Sequence, residues 1–450
     1  MLRVKVRVVM LFVICAVFTC WRPAVFAAEP AANEDVLEQI RYLKKTIQEQ
    51  QQKIDALEQR VSRQETSAQG VGNVVPVSDI DRRIDERLSQ KAPAYQLMEG
   101  LSMSVGATTI MQSAHNANGA NQLSGKEDVT DSSISTDITF NKKFEDYGEG
   151  FVYVTAGQGK GVEDELQLYS NVNYDADDDQ NVRLSEAWYE HYFKPISGAL
   201  AFGKLDATKY IDTNSYANDE TTQFLGRMFR NSAVVEFPSN AAGAHFGFSP
   251  SEFYDINLVA VDGDADWEDT FDGMFLAGQF NLKPKLFNRE GNYRVFAWGN
   301  GTKHTNWSDP EKDKENGYGY GLSFDQELTD NLGVFARYGW QDPKVYMNGN
   351  SFSLEQSWSA GPQFKGAIWG RPDDVIGIGF GQIMPSNKYK QVNNLQAKTE
   401  SHMECYYNFK VNEHLSLSPD LQVIWQPYGK DSANGDGTIV VGGLRGQMNF

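Results

Sequence analysis

From residue 95 onward the chain alternates apolar and polar residues in runs of strand length. "ISTDITF" sets Ile134, Thr136, Ile138 and Phe140 against Ser135, Asp137 and Thr139. "MECYYNFKV" sets Met403, Cys405, Tyr407, Phe409 and Val411 against Glu404, Tyr406, Asn408 and Lys410. After the tight turn 412–414, Leu415, Leu417, Leu421, Val423 and Trp425 resume the apolar face. A period of two is the mark of a strand with one apolar and one polar face. A soluble sandwich produces the same alternation, so the connections must decide. Short turns fall at 145–150, 194–198, 250–253, 326–331 and 412–414, with longer ones at 282–291 and 365–373. Between them lie long polar loops at 112–133, 158–182, 262–272, 300–317, 341–354, 383–399 and 426–437. Short turns at one rim and long loops at the other are the layout of an outer-membrane barrel.

Parity sets the strand count. Counting "SAVVEF" (232–237) as a strand gives 17 and puts the acidic 262–272 loop at the short-turn rim. That segment runs straight into Pro238 and "SNAAG"; removing it restores the alternation and leaves 16 strands. Residues 205–242 then form the longest connection. A barrel of 16 strands is wide enough for an aqueous channel, and a long loop folded inward narrows one. The expected fold is all-β: a 16-stranded antiparallel transmembrane barrel over 95–450.

The residues before the barrel read differently. Arg3, Lys5 and Arg7, the apolar run 8–20 and Val25-Phe26-Ala27 make a secretory signal peptide over 1–27, with an uncleaved anchor as the alternative. Cleavage removes four basic residues and no acid, so the net charge goes from −19 to −19 − 4 = −23. Such an acidic chain is unsuited to nucleic acid. Cys15 and Cys20 leave with the signal, so Cys405 has no partner for an intrachain disulfide. Within 28–66, Val36, Ile40, Leu43, Ile47, Ile54, Leu57 and Val61 recur at spacings of 4 and 3, with Gln50 in the seam. The run from Glu34 to Arg63 makes a coiled coil roughly 45 Å long, or else a single helix lying on another surface. Residues 67–94 are a Gly- and Pro-broken linker and a short helix.

The polar residues of 205–242 are the candidate pore lining. Asp206, Asp212, Asn214, Asn218, Asp219, Glu220 and Gln223 offer acceptors and amides matched to hydroxyls, and Arg227 and Arg230 supply fixed donors. The same groups equally suit hydrogen bonds within the loop. Arg294 and Arg337 are expected to point inward, because arginine facing lipid is costly. Trp298 shares the face of Arg294 and offers either a flat face to a sugar ring or a member of an interfacial girdle. "WGRPDD" (369–374) reads as a short-rim turn with Arg371 paired to Asp373 or Asp374. "DGDADWED" (262–269) has Trp267 where a calcium loop needs Gly, so no dedicated metal site is expected. Cations bridging such acidic loops to lipopolysaccharide phosphate are compatible with it. No nucleophile–base set and no cofactor motif can be read.

The segments "GKLDATKYIDTNSYANDETTQF" (203–224), "WSAGPQFKGAIWGRPDDVIGIGFGQ" (358–382), "NEHLSLSPDLQVIWQPYG" (412–429) and the closing "VVGGLRGQMNF" resemble the carbohydrate-selective porin family, the OprB type. The resemblance implies a barrel that admits sugars by diffusion, embedded in outer-membrane lipid and lipopolysaccharide. It implies that the terminal strand ending on Phe450 is read by the barrel-assembly machinery, and that the barrels form homotrimers. The coiled coil departs from the simplest members; a periplasmic position, self-association or a reach to the peptidoglycan are the expectations for it.

Overall fold

The computed structural model describes residues 100–450 except 120–127, 177–179, 310, 312–314, 347–352 and 433. The signal peptide, the coiled coil at 28–66 and the linker with its helix at 67–94 lie outside the described residues.

Sixteen long strands follow one another: β1 (Leu101–His115), β2 (Asp128–Phe144), β3 (Gly148–Gln158), β4 (Arg183–Phe193), β5 (Gly198–Leu205), β6 (Ala241–Ser251), β7 (Tyr254–Asp262) and β8 (Met274–Leu282). They continue as β9 (Arg289–His304), β10 (Glu315–Thr329), β11 (Leu332–Gln341), β12 (Leu354–Lys365), β13 (Val375–Pro385), β14 (Glu400–Lys410), β15 (Leu415–Trp425) and β16 (Ile439–Asn449). A two-residue rung, Lys285–Leu286, only extends the β8–β9 hairpin around Phe287 and Asn288. Each long strand pairs antiparallel with its neighbours in sequence, and β1 pairs with both β2 and β16. The sheet is therefore closed, and none of the long strands described is left with an unpaired edge. The expected 16-stranded barrel is the observed one. Residues 232–237 form no strand and belong to the long connection 206–240.

One connection is shorter than its composition suggests. The β1–β2 ladder runs on to His115 opposite Asp128, so the expected loop 112–133 shrinks to 116–127. There the outward positions are polar too: Thr130 donates to Ser113 at 3.0 Å. Backbone pairing persists where the alternation of polarity has stopped, which is why the pattern missed it.

The barrel is apolar outside and polar inside. Leu258, Leu276, Phe280, Val295 and Leu444 are exposed on the outer face. Thr108, Gln112, Ser323, Asp325, Glu404, Gln422 and Gln447 are buried on the inner face. Inner-face residues are buried only if something fills the lumen beside them. That filling is the 206–240 loop, with the 159–175 loop beside it.

Candidate functional site

The 206–240 loop is fastened to one half of the wall by charged rivets. Arg337 of β11 reaches Asp212 Oδ1 at 2.7 Å, and its other nitrogens donate to the carbonyls of Phe229 (2.7 Å), Asp212 (3.0 Å) and Ala217 (3.0 Å). Arg294 of β9 pairs with Asp325 of β10 at 2.5 Å, and Asp325 also accepts from the amide and hydroxyl of Ser215. Further along the wall, Glu404 of β14 accepts the amides of Leu225 and Gly226, and Arg445 of β16 donates to the carbonyls of Glu220 and Gln223, the last two at 2.8 Å. A charged group bonded to backbone amides or carbonyls makes a stronger hydrogen bond than a neutral pair. The loop is held at both flanks and at its tip.

Between the rivets the loop buries apolar side chains against the wall. Ile211 and Val235 meet Val259, Phe275, Phe296 and Trp298. Phe224, Met228, Phe229 and Val234 meet Phe335, Ile383 and Tyr406. The single helical turn Arg227–Arg230 turns Met228 and Phe229 into that core and leaves both arginines half-buried on its other side.

Those arginines face the wall that the loop leaves open. The Arg230 guanidinium sits 5.0 Å from the Tyr174 ring centroid and that of Arg227 5.8 Å, while Arg230 pairs with Glu220 and stands 3.9 Å from Asp206. Lys209 pairs with Glu186 of β4 and lies 5.1 Å from the ring of Phe151 and 5.5 Å from that of Tyr153. Tyr153 donates to Asp137 of β2 at 2.6 Å, and Ser135 donates to Asp175 at 2.8 Å. Cations and carboxylates interleaved with aromatic faces thus line a half-buried rim between the loop and β2–β4. Behind it, the 159–175 loop is tied down by Glu163, whose carboxylate accepts the amides of Val172 (2.6 Å) and Asn173 (2.5 Å). Burial pushes the Glu163 carboxyl up to about 7, against those two hydrogen bonds, and pushes Asp175 well above the usual carboxylate range.

The expected site residues divide accordingly. Asp206, Glu220, Arg227 and Arg230 stand at this rim. Asp219 is beside it, accepting from the amide and hydroxyl of Thr221. Asp212, Asn214, Asn218 and Gln223 make hydrogen bonds that hold the loop: Asn214 donates to Phe324 O at 3.0 Å, and Gln223 accepts the Asn218 amide at 2.7 Å. Arg294 and Arg337 point inward as expected: Arg337 bonds the loop directly, and Arg294 pairs with Asp325, which does. Trp298 is also inward, 4% exposed and stacked on Phe275, so its face is covered by apolar side chains. Lys209, Asp137, Tyr153 and Tyr174 were not singled out in the sequence. Tyr153 and Asp137 carry a signal there, polar residues on the inward parity of β3 and β2; Tyr174 in an acidic loop carries none.

The two motifs behave as simple turns. Arg371 pairs with Asp374 at 2.5 Å, and Asp374 also accepts the Lys410 amide at 3.0 Å. In 262–269, Asp262, Asp264 and Asp266 place carboxylate oxygens within 4.8 Å of one another, and Trp267 takes a left-handed φ of 68° at the position where a calcium loop has Gly. Among the described residues, no helix is long and apolar enough to cross a membrane.

Known proteins share this architecture. The chain is similar in fold to OprB of Pseudomonas putida in its high-pH structure, with a TM-score of 0.66 and 17% identity over 80% of this chain and 97% of that one. It is also similar to the outer-membrane channel DcaP of Acinetobacter baumannii, with a TM-score of 0.51 and 11% identity over 78% of this chain and 98% of that one. In sequence it is 26% identical to an uncharacterized protein of Aquifex aeolicus over 70% of this chain and 87% of the relative. It is 24% identical to the porin AaxA of Chlamydia abortus over 54% of this chain and 53% of the relative. The chain thus spans about half the length of that chlamydial porin. Residues 134–450, which hold β3–β16, most of β2 and the whole inward loop, match the family "Carbohydrate-selective porin, OprB family", and with this closed barrel the chain belongs to that family of outer-membrane channels.

Proposed function

We propose that the barrel is a passive channel for mono- and oligosaccharides, carrying them across the outer membrane into the periplasm. The observation that supports this reading best is the rim formed by Arg227, Arg230 and Lys209 over Tyr174, Phe151 and Tyr153, faced by Asp137, Asp206 and Glu220. Aromatic faces suit the C–H side of a sugar ring, and fixed donors and acceptors replace the water that its hydroxyls give up. Binding here stays weak, because a tight site stalls flux; a Kd near 1 mM corresponds to only about −4 kcal/mol. The purified full chain in liposomes should admit neutral sugars faster than size-matched amino acids. Equal rates would refute the carbohydrate preference and leave a general porin.

A cation-preferring porin is the second reading, motivated by the net charge of −19 and the acidic long loops. Reversal potentials in a salt gradient decide it. A third reading, an envelope tether with the barrel as anchor, predicts no solute flux at all. Within the first reading the N-terminal segment lies in the periplasm and associates between protomers, in trimers, with the peptidoglycan as a further partner.

A further inference from the structure

A second polar recess lies outside the constriction, at the long-loop rim. It is a cavity of about 530 Å³ between the rising end of the inward loop, the loop that joins β7 to β8, and the end of β9. That volume is within the range of small-molecule sites. Its base is backbone packed on backbone: a Cβ added to Gly263 would stand 2.1 Å from the Gly273 carbonyl oxygen.

The lining is mixed, and the mixture selects a ligand. Asp264 and Asp272 are exposed at the two ends of the β7–β8 loop. Glu236, at the root of the inward loop, turns both oxygens toward His304 Nε2, at 2.9 and 2.8 Å. Glu236 is thus taken up by His304, and Lys303 is the one lysine or arginine among the described lining residues, against Asp264 and Asp272. The excess of negative charge favours a cation. A bare divalent ion would meet the Lys303 ammonium as a like charge, whereas a hydroxyl oxygen accepts a hydrogen bond from it. Phe237 adds an apolar wall of the kind a ring packs against.

We propose that this cavity binds a hydroxylated ring bearing an ammonium group, an amino sugar, before the solute reaches the constriction. The inference rests on the reading of the barrel as a sugar channel. The ammonium lies between Asp264 and Asp272, and the ring hydroxyls face Lys303 and the Thr302 hydroxyl.

Calorimetric titration of the detergent-solubilised full chain in EDTA, with glucosamine, N-acetylglucosamine and glucose as probes, tests it. Glucosamine should bind tighter than either neutral sugar, and the affinity should fall as salt rises. Asp264→Asn with Asp272→Asn should weaken glucosamine by about tenfold and leave N-acetylglucosamine unchanged. Both positions are exposed, so the variant should retain the barrel and its glucose flux. Unchanged glucosamine affinity in the double variant overturns the proposal, as does N-acetylglucosamine binding as tightly as glucosamine. Calcium binding, in a titration without EDTA, that is lost in the variant while glucosamine gives no heat also overturns it: the acids are then a cation clamp. Absence of glucose flux through the unaltered protein defeats the channel reading instead, and the two failures are distinguishable.

Discussion

Arg337 on the barrel wall and Asp212 in the inward loop form an ion pair at 2.7 Å, with side chains 1% and 0% exposed. The pair fixes the first third of the loop to β11. Removing one partner leaves a buried charge without its counter-charge, which costs about 3–5 kcal/mol. Asp212→Asn or Arg337→Met should therefore detach the loop while the sixteen-strand ladder persists. Single-channel recordings should show larger and noisier conductance, with heat-modifiable migration on gels unchanged. Wild-type conductance in both variants would show that the apolar packing alone holds the loop.

The Tyr174 ring under Arg227 and Arg230 sets the second prediction. If sugars dwell at that rim, adding a sugar should reduce single-channel current. Tyr174→Ala removes the aromatic face, and Glu220→Ala removes the partner that orients Arg230. Each should weaken the sugar-induced block several-fold, a change of about 1 kcal/mol. Asp219→Ala with Glu220→Ala should weaken it at least as much as Glu220→Ala alone. A block that survives Tyr174→Ala at full strength would place the binding groups elsewhere in the lumen.

The barrel was legible because closure imposes a rule on the whole chain. Strands must alternate in polarity, and connections must alternate in length, so one error at 232–237 disturbs every later loop. The interior loop was legible only by its length and composition. Its polar residues look alike in sequence, yet Asp212 and Asn214 are buried fastenings whereas Glu220 and Arg230 stand at the rim. What separates them is the partner each meets across the lumen: Arg337 for Asp212, and Ser323 and the Phe324 carbonyl for Asn214. Those partners lie more than a hundred residues away, and no local pattern reports them. Trp298 is the same case, since its covering comes from Phe275 of the neighbouring strand and from the inward loop, not from its own strand.

Phe450 exchanges backbone hydrogen bonds with Val105, at 2.9 and 3.2 Å, while the residue is 72% exposed and its ring is stacked beside His414. The backbone closes the barrel and the ring is left for another surface. Phe450→Asp preserves the backbone pairing, so the finished barrel should be about as stable as wild type. Its outer-membrane yield should nevertheless fall, with export unchanged, if the ring is read during assembly. Normal yield would remove the recognition role.

The heptad seam of 28–66 makes a prediction independent of the barrel. Val36, Ile40, Leu43, Ile47, Ile54, Leu57 and Val61 form a stripe that one isolated helix cannot bury. The peptide 28–66 should sediment as an oligomer, as trimers if it follows the expected barrels. A monomer at millimolar concentration would remove the motive for self-association and favour a peptidoglycan contact.

Glu163 gives the protein a pH response that can be assigned in sign. The residue is half-buried, but its carboxylate is turned onto the amides of Val172 and Asn173, and burial pushes its pKa from 4.5 up to about 7. A carboxyl whose folded value is raised contributes stability that is fully present below 4.5 and is lost as pH rises through about 7. The packed form of the 159–175 loop should therefore be tighter at about pH 5 than at about pH 8. Hydrogen exchange of the Val172 and Asn173 amides, corrected for intrinsic rates, should show protection falling across that interval. Glu163→Gln keeps the acceptor oxygen and removes the titration, so its protection should be flat with pH. An unaltered pH dependence in Glu163→Gln would move the response to another group, with Asp175 next to be replaced. Because this loop carries Tyr174, the same variant also reports on the pore: sugar block that varies with pH in the wild type should become constant in Glu163→Gln.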